Sequence, residues 1–240
     1  MFDILLCLLC LFLYLAFRPR RTGIMIMNDM FIEYPQYMDQ NLIRAFLPLV
    51  EWQQNIVRGL LTQGAIVEKV SIRDSYMFGS RIGFMFIDVT VHMHGVALPG
   101  AVLLRGKSVA VLLWYRDGSD VRVILVRQPR VAMGRTTWEV PTGMPDETGT
   151  LRGQMFKEIQ EETGLTLNIN NLTHHESSYM SPGLLDETLE LYSMHISPDM
   201  RTTNSRCGNV EAVSLSDPRT LDDAKLCILI CAVDLKTADY

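Results

Sequence analysis

The chain has 240 residues, 48% of them apolar and 20% charged, with a formal net charge of −5. That length and balance suit one large globular domain or two small ones, and the acidic excess offers no basic field for steering onto nucleic acid. Cysteines are few: Cys7 and Cys10 lie in an apolar run, and Cys227 and Cys231 are spaced along an expected helix, so neither a disulfide framework nor a zinc site is indicated.

The first segment, residues 1–24, stands apart. From Ile4 to Phe17 it is continuously apolar, and Arg18, Arg20 and Arg21 follow. The run is shorter than the roughly 20 residues of a bilayer span. Charge after the run, rather than before it, is the reverse of a cleaved signal peptide and would hold the body in the cytosol. The expectation is a membrane association through residues 4–17 with a cytosol-facing body. A mis-assigned start is the alternative, because Met25, Met27 and Met30 precede the expected folded body; the protein would then be cytoplasmic or organellar. The sequon Asn171-Leu172-Thr173 has meaning only if the body is exported.

From Asn41 to Gly64 apolar residues recur at helical spacing, with Pro48 as a break or start. Strands are expected over Ala65–Ile72, Gly83–His94 and Ala101–Leu104, then over Ser108–Trp114 and Val121–Arg127 as a hairpin about Asp117-Gly118. A further strand over Thr136–Val140 leads to a helix over Leu151–Thr163 that ends at Gly164. Strands over Leu165–Ile169, Glu187–Ile196 and Val210–Leu215 follow, then a closing helix over Leu221–Leu235. A small N-terminal β-rich region is placed at 37–100 and a second domain at 101–240.

The stretch Trp138–Leu165 carries the chemistry. Glu158, Glu161 and Glu162 fall at i, i+3 and i+4 of the expected helix, one above the other on one face. Like charges so stacked disfavour a helix slightly, and several oxygens together suit a hard divalent cation such as Mg²⁺. A merely solvated acidic face is the plainer alternative.

Gly143 and the run Lys157–Leu165 resemble the Nudix signature G-x5-E-x7-R-E-U-x-E-E-x-G-U, with U a bulky aliphatic residue. Two positions depart from it: Gly149 stands for the first Glu and Lys157 for the Arg. Outside the box, Asp74–Phe84, Gln128-Pro129-Arg130, Pro141–Met144, Ser181-Pro182-Gly183 with Asp186-Glu187, and Asp223-Ala224-Lys225 resemble the ADP-sugar diphosphatase branch, especially its plant-type members. The resemblance spans Tyr37 to the end. It implies a Nudix α/β/α sandwich with a mixed β-sheet, preceded by the small β-rich region. It also implies a homodimer formed through that region, and hydrolysis of an ADP-sugar such as ADP-ribose or ADP-glucose to AMP and a sugar phosphate with Mg²⁺ (or Mn²⁺). By matched position, Glu158 and Glu162 are primary metal ligands, Glu161 a shared ligand or catalytic carboxylate, and the Thr142 carbonyl a backbone ligand. Arg130 matches a phosphate contact, and its planar fork suits that task. Met144 and Glu187 match positions near the nucleoside diphosphate sugar, and the Ser181–Glu187 loop is a source for the general base. Glu211 is a weaker candidate. Glu147 is a substitute for the Glu missing at 149. Lys157 keeps the charge of the signature Arg but not its bidentate fork.

Three alternatives remain beside this reading. One is a degenerate Nudix domain that binds a nucleotide sugar without turning it over, which Gly149 and Lys157 favour. Another is hydrolysis of a different nucleoside diphosphate conjugate. The last is a membrane-tethered scaffold, resting on residues 4–17 alone.

Overall fold

The computed structural model describes residues 22–27, 30–144, 151–199 and 210–233. The apolar run at 4–17 and the loop positions Glu147 and Gly149 lie outside these residues, as does the side chain of Glu158. No helix among the described residues is long and apolar enough to cross a membrane. The chain divides into two compact units. One runs to Arg105 and includes Gly183–Asp186; the other comprises Gly106–Pro182 and Glu187 onward.

The first unit is a six-stranded sheet with two helices. In chain order it has β1 (Thr22–Met27), β2 (Met30–Pro35), α1 (Gln40–Ala45), α2 (Leu47–Arg58), β3 (Ala65–Phe78), β4 (Arg81–Met93), β5 (Val96–Ala97) and β6 (Ala101–Leu104). The strands pair in the order β1-β2-β3-β4-β5, and β6 also pairs with β4. Along β4, Met85, Ile87, Val89 and Val91 are buried while Phe86 and Thr90 are exposed, the period-2 pattern of a half-covered sheet. Ile43 and Leu49 from the helices are fully buried in the same core as Ile32, Met85, Ile87 and Leu104. The expected helical stretch is cut where Pro48 sits in the first turn of α2, a position needing no N–H donor. Asp39 starts α1 by accepting the Asn41 N–H at 2.7 Å. Gly183–Asp186 joins this unit, because Leu103 N–H donates to the Leu184 carbonyl (2.8 Å) and Arg105 N–H to the Asp186 carboxylate (2.7 Å).

Two features differ from the sequence expectation here. Thr22–Met27, ahead of the expected body, is already a strand: β1 and β2 pair antiparallel and bury Met25, Met30 and Ile32. Thr22, Ile24 and Ile26 alternate along β1, but the segments are short and set among methionines directly after the apolar run, so the strand signal is weak. Ala101–Leu104 is a strand as expected, yet it pairs with β4 of the first sheet.

The second unit contains β7 (Ser108–Asp117), β8 (Asp120–Arg130), β9 (Arg135–Glu139), β10 (Thr142–Gly143), α3 (Leu151–Thr163), β11 (Thr173–Tyr179), β12 (Thr188–His195), β13 (Val210–Ser214) and α4 (Ala224–Val233). Its sheet runs β11-β12-β7-β8-β13, with β9 on β8 and β10 on β7. The β7–β12 pair is parallel and the others are antiparallel, so the sheet is mixed. Successive residues of β7 alternate between two cores. Val109, Val111 and Leu113 face a cluster with Ile159 of α3; Ala110, Leu112 and Trp114 face a cluster with Leu226 and Leu229 of α4. A sheet covered by a helix on each face is the α/β/α sandwich. Each fully buried Leu or Val on these faces stabilises it by roughly 1.5–3 kcal/mol.

The sheet forks, and the fork makes the site. The β7–β8 hairpin closes at Asp117–Asp120, with Gly118 at φ +62°, a conformation L side chains rarely adopt. The two strands remain paired as far as Trp114–Val123. Beyond that point β8 pairs with β9 from Val126 to Arg130, and β7 pairs with β10 at Val109 and Ala110. The chain from β9 to β10 therefore bridges the two arms.

Leu165–Ile169, expected as a strand, forms no ladder and leads into a 3₁₀ turn at Ile169–Asn171. Leu165, Leu167 and Ile169 nonetheless pack on the α3-side core, so the alternation records burial rather than pairing. The strand that does form there, β11, is the polar sequence Thr173–Tyr179 at the sheet edge. The closing helix is preceded by a 3₁₀ turn at Pro218–Asp222, and Asp223 caps α4 by accepting the Lys225 N–H at 3.0 Å.

Candidate active site

Helix α3 has the bounds expected from the sequence, Leu151–Thr163, and Gly164 ends it at φ +72° with its N–H on the Gln160 carbonyl at 2.8 Å. Ile159 is 1% exposed on the sheet and fixes the rotation of the helix. Glu162, one turn on, then points into the fork. Its Oε1 accepts from Gln128 Nε2 of β8 at 3.0 Å, and its Oε2 accepts from the Thr142 N–H of β10 at 3.2 Å. The carboxylate therefore joins the two arms. The Thr142 hydroxyl turns away and donates to the Val140 carbonyl at 2.8 Å, so the backbone of this residue serves the site. Glu161 is half-buried beside Glu162, and Met144 is half-buried at the end of the described strand–loop segment. Lys157 is exposed. Among the described residues, which exclude the Glu158 side chain, no group of three or more His, Cys, Asp or Glu is gathered around one metal position. The donor chemistry still fits a hard divalent cation: Glu162 offers carboxylate oxygens held in place from both sides, with a second carboxylate adjacent in sequence.

Arg130, at the end of β8, is seated by a buried partner that sequence reasoning did not single out. Its Nε donates to Glu139 Oε1 at 2.7 Å and one Nη to Oε2 at 2.6 Å, a bidentate fork. Glu139 also accepts from the Thr137 hydroxyl at 2.6 Å and from Lys225 Nζ at 2.9 Å. Burial by itself would raise the pKa of Glu139. The Arg130 fork, Lys225 and Thr137 outweigh it and lower the carboxyl from 4.5 to about 2. The same fork raises the Arg130 pKa. Asp223 completes the cluster, accepting the Val140 N–H at 2.9 Å with its carboxylate 3.2 Å from Lys225 Nζ. Burial raises its pKa, against the charge of Lys225.

Two expected residues occupy other surroundings. Glu187 is 7% exposed and accepts from the Ser108 hydroxyl at 2.5 Å. Ser108 alternates with Ala110 and Leu112, which face the α4 core, so Glu187 is tied to the sheet face opposite α3. A carboxylate so placed anchors the start of β12. Glu211 pairs with Arg219 at 2.5 Å, and Arg219 also holds Asp217 and lies 5.1 Å over the Trp138 ring.

A mixed sheet between helices, with a glutamate-bearing helix closing a strand fork, is the arrangement of a Nudix domain. The NUDIX domain family matches residues 104–222, and that stretch is a Nudix domain. Two relatives narrow the comparison. The chain is 29% identical over 173 residues to Nudix hydrolase 14, chloroplastic, of Arabidopsis thaliana, covering 67% of this chain and 55% of that protein. It thus spans about half the length of that relative. It is 24% identical over 182 residues to the ADP-ribose pyrophosphatase of Bacillus subtilis, covering 72% of this chain and 96% of the other. A crystal structure of an ADP compounds hydrolase shares the fold, with a TM-score of 0.52 and 16% identity over 72% of this chain and 93% of the other. Nudix hydrolases use a divalent metal.

Proposed function

We propose that the protein hydrolyses the pyrophosphate bond of an ADP-sugar, such as ADP-ribose or ADP-glucose, to AMP and a sugar phosphate, with Mg²⁺ as the metal. The observation that carries this reading is Glu162 fixed at the strand fork between Gln128 and the Thr142 N–H, in the same unit as the fork-held cation Arg130. The similarity to the ADP-ribose pyrophosphatase of Bacillus subtilis supports the same chemistry. Glu158 and Glu162 would hold the metal, with Glu161 adjacent and the Thr142 carbonyl as a backbone ligand. When bound, the metal would neutralise pyrophosphate oxygens and lower the pKa of water. Arg130 would take a phosphate oxygen with the edge of its guanidinium not engaged by Glu139, and Met144 would line the nucleotide sugar. Glu187, held by the Ser108 hydroxyl at the start of β12, would stand near the nucleotide sugar as the candidate general base.

The departures at Gly149 and Lys157 favour a second reading, a Nudix domain that binds without turnover. Incubating the full chain with ADP-ribose, ADP-glucose and other nucleoside diphosphate sugars separates the two. Release of AMP in the presence of Mg²⁺ is the expected result. Stabilisation by the same compounds with no AMP would support the binding module.

A homodimer through the first unit is part of the proposal. Its sheet exposes Tyr76 (65%) and Phe86 (39%), with the Phe78 and Phe84 rings edge-to-face at 5.1 Å. A cavity of about 370 Å³ lies among Asp74, Tyr76, Phe84, Phe86 and Leu103. An apolar surface of this kind suits cover by a second copy. Light scattering is expected to give twice the chain mass of 27.3 kDa; a monomer at micromolar concentration would remove the dimer.

A further inference from the structure

Lys225 has no place in the signature, yet it is built into the same cluster as Arg130. A cation in the first turn of a helix runs against the helix dipole, and Lys225 stands at the second residue of α4. Its side chain is 15% exposed, so solvent does not reward the placement either. Its Nζ lies 2.9 Å from Glu139 Oε2, the oxygen that also receives an Arg130 Nη. Glu139 is thereby shared between two cations.

That sharing bears on anion binding. An isolated Arg–Glu fork has no net charge, and its guanidinium attracts a phosphate only weakly. With Lys225 on the same carboxylate, the three groups carry one net positive charge. Its outlet is the Arg130 side chain, which is 43% exposed while Glu139 is 8% exposed. Glu162 and Asp223 also act on Arg130, each less than Glu139 does, and Asp223, which offsets Lys225, is held by the Val140 and Lys225 N–H groups. The fork fixes the guanidinium plane, and the lysine keeps Glu139 from cancelling it.

We infer that Lys225 is a positioning residue for the phosphate site, acting through Glu139 to keep Arg130 oriented and available to a pyrophosphate. The inference rests on the phosphate role proposed for Arg130. A purely structural lysine would satisfy the same contacts, so the test must report on coupling to Arg130 rather than on loss of fold.

The experiment is calorimetric binding of ADP, with Mg²⁺, to the full chain, which probes the pyrophosphate site without turnover. Four proteins are compared: wild type, Lys225→Met, Arg130→Met and the double variant. Arg130→Met is expected to weaken ADP about tenfold or more, the loss of one charge-assisted contact. Lys225→Met is expected to weaken it severalfold in the wild-type background and not at all once Arg130 is gone. Lys225→Gln keeps a donor for Glu139 without the charge and is held to the same outcomes should Lys225→Met fold poorly. Unchanged affinity in the single Lys225 variant, or equal losses in both backgrounds, would overturn the inference, as would absence of ADP binding by the wild type. A wild type that binds ADP but releases no AMP from ADP-sugars would sink the hydrolase reading alone, and the cycle would still decide the role of Lys225.

Discussion

Glu162→Gln is expected to abolish AMP release while leaving the fold in place. Glutamine preserves the shape and one carbonyl acceptor, so either the Gln128 or the Thr142 contact can persist. What it removes is the negative charge that a divalent cation requires. A metal supplies several kcal/mol of transition-state stabilisation, and a loss of about 3–4 kcal/mol is a factor of roughly 10²–10³ in rate. Initial rates with ADP-ribose, together with thermal midpoints, check the point. A variant retaining more than a tenth of wild-type activity would place the metal elsewhere. A variant that loses activity together with its thermal transition would show Glu162 to be structural.

Glu139→Ala should give the largest loss of stability of any change at this site. It strips a carboxylate that accepts four donors and leaves Arg130 and Lys225 facing each other with no shared counter-ion. Removing one partner from a buried ion cluster costs about 3–5 kcal/mol. Arg130 is 43% exposed and recovers some solvation, so the lower end applies. The thermal midpoint is expected to fall by roughly 5–10 °C. The same carboxylate sets an acid limit. Its folded pKa of about 2 lies below the ordinary 4.5, so its stabilisation is complete above pH 4.5 and drains away as pH falls toward 2. Between pH 5 and 3 the wild type should lose about 2 kcal/mol by this route. Glu139→Gln, which cannot titrate, should show a correspondingly flatter fall in urea-unfolding free energy over that range. Parallel curves for the two proteins would mean that Glu139 is not held ionised by its partners. Asp223, whose pKa burial raises, works in the opposite sense in both proteins.

The parts of the site visible in the sequence were the parts written locally. The turn of helix from Glu158 to Glu162, the Gly164 cap and the Asp117-Gly118 hairpin each depend on neighbours a few residues away, and periodicity and turn chemistry suffice to place them. Glu139 was invisible for the opposite reason. Its cationic partners lie 9 and 86 positions distant, and a glutamate beside Trp138 and Val140 reads as the polar face of an ordinary strand. Gln128 reaches Glu162 across 34 positions only because the sheet forks, and no local pattern announces a fork. The same logic separates Leu165–Ile169 from β11. The first has the alternation of a strand but no edge to pair with, while the polar Thr173–Tyr179 pairs with β12 despite its composition. Glu187 was read by position in a motif, and burial beneath the Ser108 hydroxyl is a property of packing that the motif does not carry. The first unit was underestimated because β1 and β2 are short, methionine-rich segments that follow the apolar run, and their pairing with each other is not written locally.

If the α3 carboxylates hold a divalent metal, cleavage of a pyrophosphate by this protein depends on that metal. The most direct measurement is product analysis of ADP-ribose incubated with the full chain, once with Mg²⁺ and once with a chelator in excess. AMP and ribose phosphate in equal amounts with the metal, and neither without it, is the predicted result. ADP-ribose recovered intact with Mg²⁺ present would contradict it.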